Sequence, residues 1–205
     1  MTLFPMFVKL EGKLVVVVGG GAVAEGKIES LLAAGARIRL IAPQIRPQIA
    51  AWVRFGKIEW LPKEFATGDL EGASLVIAAT SAPGVNGAVF AEAEAAKILC
   101  NAVDDIAHCH FYYGAVAQRG DLQIAVSTNG KSPALAQRIR TELEETYSSE
   151  YGVWLEWLGA ARELLRANSS NREETKAVLH QLASRENFER FLRQSRSGER
   201  KREVA

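Results

Sequence analysis

Cysteine is scarce in this chain, with only Cys100 and Cys109 among 205 residues. Two are too few for a disulfide framework, and they lack the C-x-x-C spacing of a zinc site. An excess of one charge is missing too: the formal net charge is +1 although 24% of residues are charged. That balance excludes bulk electrostatic capture of nucleic acid, which needs a strong basic surplus or patch. No apolar run approaches the roughly 20 residues of a membrane span. The opening "MTLFPMFVKLEGK" has no basic leader followed by a long apolar stretch, so no secretory signal is expected. Internal repeats and low-complexity segments are absent, apart from an alanine bias. What remains is 48% hydrophobic, enough for one large or two small cores. The expectation is a cytoplasmic protein with reduced thiols and no nucleic-acid or membrane partner.

The patterned part begins at "KLVVVVG", a β-branched run without polar alternation, as in a strand buried on both faces of a parallel sheet. A helical pattern follows from Ala22 to Ala34, with Ile28, Leu31 and Leu32 on one face and Gly35 as its stop. "ARIRLIAP" reads as a second strand and is followed by a helical stretch through Phe55. "KIEWL" and "ASLVIAATS" read as strands, residues 84–97 as a helix, and "KILCNAVDD" as a strand running into acids. This alternation predicts a doubly wound α/β sheet of Rossmann-like type. After residue 110 the texture changes. "FYYGAVAQRGDLQIAVST" predicts an antiparallel hairpin around "QRGD". Ser132 as N-cap and Pro133 at the first helical position open a helical region that runs to Gln194, broken at "RANSSNRE". The tail "SRSGERKREVA" reads as frayed. The expected division is 1–112 for a Rossmann-like domain, 113–147 for a hairpin segment, and 148–205 for a helical C-terminal domain.

Gly19, Gly21 and Ala24 occupy the three positions of G-x-G-x-x-G/A, between a buried strand and a helix. The first glycine permits the turn, the second admits a pyrophosphate, and the small third residue lets helix and strand pack closely. Backbone N–H groups of Gly19, Gly20, Gly21, Ala22, Val23 and Ala24 are therefore the expected dinucleotide cradle. One element of the fingerprint is lacking. The second strand ends on Ala42, Pro43 and Gln44, where an acid usually holds the ribose hydroxyls. Arg46 is the nearest cation, so no charge immediately at that strand end separates NAD from NADP, and Pro43 and Gln44 are expected to line the ribose. Two further strand ends carry polar groups: "AATS" with Thr80, and "NAVDD" with Asn101, Asp104 and Asp105. Ligands bind beyond such ends in an open parallel sheet. Neighbouring aspartates in extended chain point to opposite sides, so at most one of the pair faces the cofactor.

These blocks resemble the dehydrogenase module of siroheme synthesis, the precorrin-2 dehydrogenase and sirohydrochlorin ferrochelatase family. The similar pieces run in order over roughly residues 3–145: "LFPMFVKLEGKLVVVVGGGAVAEGK", "LLAAGARIRLIAP", "LVIAATSAPGVN", "CNAVDD" with Cys109 and Phe111, and "LQIAVSTNGKSPALAQRIR". The resemblance implies NAD as hydride acceptor and Asp104 as the catalytic carboxylate; from their places at the strand ends, Thr80 and Asn101 are expected on the nicotinamide side. It also implies a tetrapyrrole substrate and a homodimer formed through the hairpin segment. Members are often also chelatases, which leaves insertion of Fe2+ or Co2+ open. The chain departs from the family's pattern at Gly26 (about 1 kcal/mol poorer than alanine inside a helix), at Ile106, and at Gly114. Within these 205 residues no methyltransferase domain of the kind fused to this module in some relatives is expected.

Weaker signals carry a plainer reading. "HCH", residues 108–110, lacks further ligands for a structural metal site, and no metal ligands are assigned. Arg119, Lys131, Arg138 and Arg140 are candidates for binding substrate carboxylates, or simply solvated. Tyr151, Trp154 and Trp157 with Leu158 at helical spacing suggest packing rather than a tetrapyrrole platform. The alternative from another class is a dinucleotide-sensing regulatory domain without catalysis. Such domains usually keep the acid at the second strand's end and need no "NAVDD" carboxylate.

Overall fold

Val15, Val16 and Val17 are completely buried and Val18 is nearly so, which makes the strand β1 (Leu14–Val18) the middle of the molecule's first core. Burying each such side chain contributes about 1.5–3 kcal/mol, so this strand has no stable alternative at the surface. Its side chains alternate between two apolar layers. Val15 and Val17 pack with Ile28 and Leu31 of α1 (Ala22–Ala33) and Ile49 of α2 (Pro47–Arg54). Val16 and Val18 pack with Val89 and Ala93 of α3 (Val85–Ala95). Helices thus cover both faces.

The computed structural model describes residues 3–82 and 84–203, with side chains described up to Ser195. The remaining strands of the first sheet are β2 (Arg37–Ile41), β3 (Glu59–Leu61), β4 (Leu75–Ala78) and β5 (Leu99–Ala102). All pair in parallel in the order β3-β2-β1-β4-β5. The chain therefore reverses its direction of winding between β1 and β4, where open α/β sheets bind ligands. This is the Rossmann-like sheet expected from the strand and helix alternation. β5 is shorter than "KILCNAVDD" suggests, because Asp104 takes a left-handed conformation at φ 61° and ends the extended run.

The chain divides into two units, one up to Tyr113 and one from Gly114 onward. The second contains the antiparallel pair β6 (Ala115–Arg119) and β7 (Leu122–Val126), then α4 (Pro133–Thr146), α5 (Glu150–Asn168), α6 (Arg172–Leu182) and α7 (Arg185–Glu203). Gly120, at φ 57°, supplies the left-handed residue of the two-residue turn. Phe111 to Gly114 stay outside the hairpin. Ser132 caps α4 by accepting from the Leu135 N–H, and Pro133 sits in its first turn. The helical region breaks at Tyr147–Ser149 and at Ala183–Ser184 as well as at the expected "RANSSNRE". The tail expected to be frayed is instead helical in its backbone to Glu203, and only its residues 204–205 lie outside the described residues.

Candidate dinucleotide site

A cleft of about 910 Å³ opens over the carboxyl ends of β1, β2 and β4. Gly19, Gly20, Gly21, Ala22, Val23, Pro43, Gln44, Thr80 and Asp104 all line it. The three glycines do different work. Gly19 has φ 115°, and a Cβ there would stand 2.3 Å from the Ala79 carbonyl oxygen, so only glycine lets this turn lie against the end of β4. At Gly20 a Cβ would meet the Gln44 carbonyl oxygen at 2.1 Å. That close approach lets the Arg46 N–H donate to the Gly20 carbonyl at 3.2 Å and fastens the loop after β2 to the glycine turn.

Gly21 faces open space, with no atom within 4 Å of a Cβ built on it. It is the N-cap of α1 but has no capping side chain, which leaves first-turn N–H groups unpaired at the positive end of the helix. An uncapped turn beside vacant volume suits a pyrophosphate, so the residues fit a dinucleotide. Ala24 is fully buried beneath this turn, between helix and sheet, and does not line the cleft.

At the end of β4, the Asn86 side chain accepts from the Thr80 N–H and donates to the Thr80 carbonyl, at 3.3 and 3.1 Å. The Thr80 hydroxyl accepts from Ala82 N–H at 2.9 Å. Thr80 is thereby held by its own loop. Sequence reasoning did not single out Asn86, whose partners lie six residues back.

Asp104 sits in a tight turn closed by Asp105 N–H donating to Ala102 at 3.2 Å, and joined to β4 by Val103 N–H donating to Ala78 at 2.9 Å. The Cys109 thiol supports the turn by donating to the carbonyls of Ala102 and Asp105, at 3.1 and 3.2 Å. The two aspartates do not share an extended strand. Asp105 turns to His108 Nδ1 at 2.6 Å, and that hydrogen bond holds its carboxyl below the usual range. Asp104 is the one that reaches the cleft.

Asn101 departs from the expectation of a cleft residue. It is 7% exposed, its side-chain amide donates to the Phe111 carbonyl at 2.8 Å, and it does not line the cleft. The chain after Asp105 doubles back beside β5, and Asn101 fastens this return. Lys27 and Tyr113 form a further group that sequence reasoning missed. The Lys27 ammonium lies 3.5 Å from the centre of the Tyr113 ring. Burial pulls the Lys27 pKa down, and the Asp104 charge partly opposes that. Tyr113 is pushed up to about 12 by burial. Their positions in sequence give no sign of this meeting, since it depends on the return of the chain past β5.

The weaker candidates resolve into packing. His110 stacks on Phe90 and pairs with Glu94, while His108 meets the same ring edge-on. Among the described residues no group of three or more His, Cys, Asp or Glu could hold a metal ion. In the second unit Arg119 is committed to the C-terminal end of α4, donating to the carbonyls of Glu144 and Tyr147 at 2.7 Å each. Arg138 and Arg140 make pairs with Glu142 and Glu144 along α4. Tyr151 and Trp154, three residues apart on α5, pack with Phe188 of α7 as an aromatic cluster, whereas Trp157, expected to pack with them, is exposed. Among the described residues no helix is long and apolar enough to cross a membrane.

Comparison with known proteins agrees with this geometry. Residues 6–115 match a family model described as putative NAD(P)-binding, and residues 119–146 match the sirohaem biosynthesis protein central segment. Siroheme synthase 3 of Aeromonas hydrophila is 37% identical over 89% of this chain, and the siroheme synthase of Photorhabdus laumondii is 37% identical over 88%. The chain spans only 39% and 38% of those two relatives. A solved structure described as SirC, precorrin-2 dehydrogenase, superposes with a TM-score of 0.77 at 27% identity, covering 94% of this chain and 98% of that one. The first unit is a dinucleotide-binding domain of the NAD(P) type. With that domain followed by the sirohaem central segment, the chain belongs to the siroheme synthase and precorrin-2 dehydrogenase family.

Proposed function

We propose that this chain is an NAD-dependent dehydrogenase that oxidises precorrin-2 to sirohydrochlorin in siroheme biosynthesis, working in the cytoplasm as a homodimer. The observation that carries the reading is Asp104, presented in a left-handed turn at the cleft that also contains the glycine cradle. A non-glycine residue held at φ 61° has a conformational cost, and such costs concentrate at functional sites. The likeness to SirC over 94% of the chain supports the same substrate class.

The oxidation removes two hydrogens from the tetrapyrrole, one as hydride and one as a proton. NAD+, when bound, supplies the hydride acceptor. Gly19 to Val23 and Gln44 hold and orient the dinucleotide through backbone groups. The Asp104 carboxylate takes the proton that leaves as the ring conjugation extends. Lys27 is close enough to Asp104 for the carboxylate charge to oppose the fall in its own pKa that burial causes. General-base catalysis of this kind contributes about 10²–10⁴ in rate. Insertion of Fe2+ or Co2+ into sirohydrochlorin is a second proposed activity, which would draw on the same carboxylate to remove pyrrole protons. The proposed division of labour is residues 1–112 for NAD, 113–147 for dimerisation, and 148–205 as a helical domain.

The test is anaerobic incubation of the purified protein with precorrin-2 and NAD+, following NADH and the sirohydrochlorin spectrum. Turnover that falls about 10²–10⁴-fold in Asp104→Ala is expected. A folded wild type that binds NADH but never oxidises precorrin-2 would refute the assignment and favour a dinucleotide sensor. Adding Fe2+ or Co2+ in a second stage tests the chelatase.

A further inference from the structure

Among the described residues lining the cleft the two charged ones are Glu64 and Asp104, and both are acids. Asp104 stands at the β4 and β5 side, so Glu64 is the charge at the other end, past β3 and beside the loop after β2. The strand ends there are joined: Ala42 N–H donates to the Leu61 carbonyl at 3.3 Å, and the Trp60 indole N–H donates to the Ala42 carbonyl at 2.9 Å. Glu64 follows Leu61 by three residues, and Gln44 follows Ile41 by three. Both residues thus lie three positions beyond paired strand ends, and both line the cleft.

Arg46 is the cation nearest the end of β2, but it is already engaged. Its Nε donates to Glu25 Oε2 at 2.9 Å, where Glu25 lies in the first turn of α1. No Lys, Arg or His is among the described residues lining the cleft.

We infer that Glu64 takes the role of the acid missing from the end of β2, and that with the Glu25–Arg46 pair it makes the site select NAD against NADP. The inference rests on the dinucleotide reading of the cleft. A 2′-phosphate would bring about two further negative charges into a region whose lining offers a carboxylate and no cation. A ribose 2′-hydroxyl, by contrast, can donate to a carboxylate. Glu25 contributes by holding the guanidinium that would otherwise be available to the phosphate. Discrimination thus comes from both a repelling group and a neutralised attractor.

The experiment titrates NADH and NADPH separately onto the intact protein, following nicotinamide fluorescence, for wild type, Glu64→Gln, Glu25→Gln and the double variant. Wild type is expected to prefer NADH. Each single variant should narrow the preference by about tenfold, the scale of one carboxylate–phosphate pair in partly exposed surroundings, and the double variant by more. Glu64→Gln should act mainly by tightening NADPH at low salt, and the effect should shrink as salt rises. Equal wild-type affinity for the two cofactors, or a ratio unmoved in all three variants, would overturn the inference while leaving the dinucleotide site standing. Failure to bind either cofactor would bring down both.

Discussion

Gly20 and Gly21 are neighbours of the same residue type, yet alanine should have opposite effects at the two positions. At Gly20 the added Cβ would lie 2.1 Å from the Gln44 carbonyl oxygen, and 3.0 Å from Ile45 and 3.1 Å from Ala42 side-chain carbons. The loop would have to retreat by about 1 Å, against its hydrogen bond from Arg46 to Gly20. Overpacking of this kind costs about 1–3 kcal/mol. Reduced freedom of the unfolded chain returns about 0.4–1 kcal/mol. The net loss of about 0–2.6 kcal/mol corresponds to a fall in melting temperature of up to about 10 °C, at about 2–4 °C per kcal/mol for a chain this size. At Gly21 the space is empty, and φ −85° and ψ −172° suit alanine. Its unfolded-state gain is roughly offset by the poorer N-cap, so stability should change by less than about 1 kcal/mol. Its methyl, however, would project into the volume assigned to the pyrophosphate. NADH affinity should weaken at least about tenfold, or 1.4 kcal/mol. Thermal unfolding by circular dichroism and fluorescence titration with NADH measure the two effects. If Gly21→Ala binds NADH as wild type does, the pyrophosphate does not lie on the first turn of α1. The glycine turn would then not be the phosphate cradle.

Asp104→Gly and Asp104→Asn should both lose turnover while melting at or above the wild-type temperature, because both residues tolerate φ 61°. Asp104→Ala should melt about 2–4 °C below Asp104→Gly, on an αL cost of about 1 kcal/mol; equal melting temperatures would deny the strain. Lys27 has a folded-state pKa below its unfolded value of 10.5, so its burial penalty is complete below the folded value and disappears as pH rises towards 10.5. Lys27→Met should therefore raise the urea midpoint at pH 7, with the gain shrinking near pH 10; a gain independent of pH would refute the titration. Burial, and then the proximity of Cys109, push the Cys100 thiol up to about 12, while burial first raises that of Cys109. Neither thiol should react with Ellman's reagent at pH 8 until the protein is unfolded, and prompt labelling of the native protein would contradict this.

Much of the first unit was legible because its signals are local. A run of four valines followed by G-x-G-x-x-A states both a buried strand and a turn into a helix, and Ser132-Pro133 states a helix start. The cleft was legible for the groups at strand ends, since the topology alone brings Gly19, Gln44, Thr80 and Asp104 together. Asn101 was not, because its side-chain partner is a carbonyl ten residues on, reached only after the chain turns back. Glu64 and Phe65 line the cleft from a loop that carries no motif, and only the registered pairing of β2 with β3 brings them there. The strand expected to continue through Asp105 stopped at Ala102 for a conformational reason, the left-handed Asp104, which hydrophobic patterning does not encode.

The return of the chain past β5 has a consequence for how the first sheet meets its surroundings. Residues 109–111 run antiparallel to β5: Asn101 bridges Cys109, the His110 N–H donates to Cys100, and the Cys100 N–H donates to His110 Nδ1. An outermost strand normally displays a row of unpaired amides that can template pairing with another molecule. Here that row is occupied by the segment that also carries the Cys109 support of the Asp104 turn. The sheet is sealed on this side by the same nine residues that present the carboxylate, 103–111. A substitution that unzips the seal would displace Asp104 and expose a sticky strand together, so loss of activity and self-association should arise as a single defect at these positions.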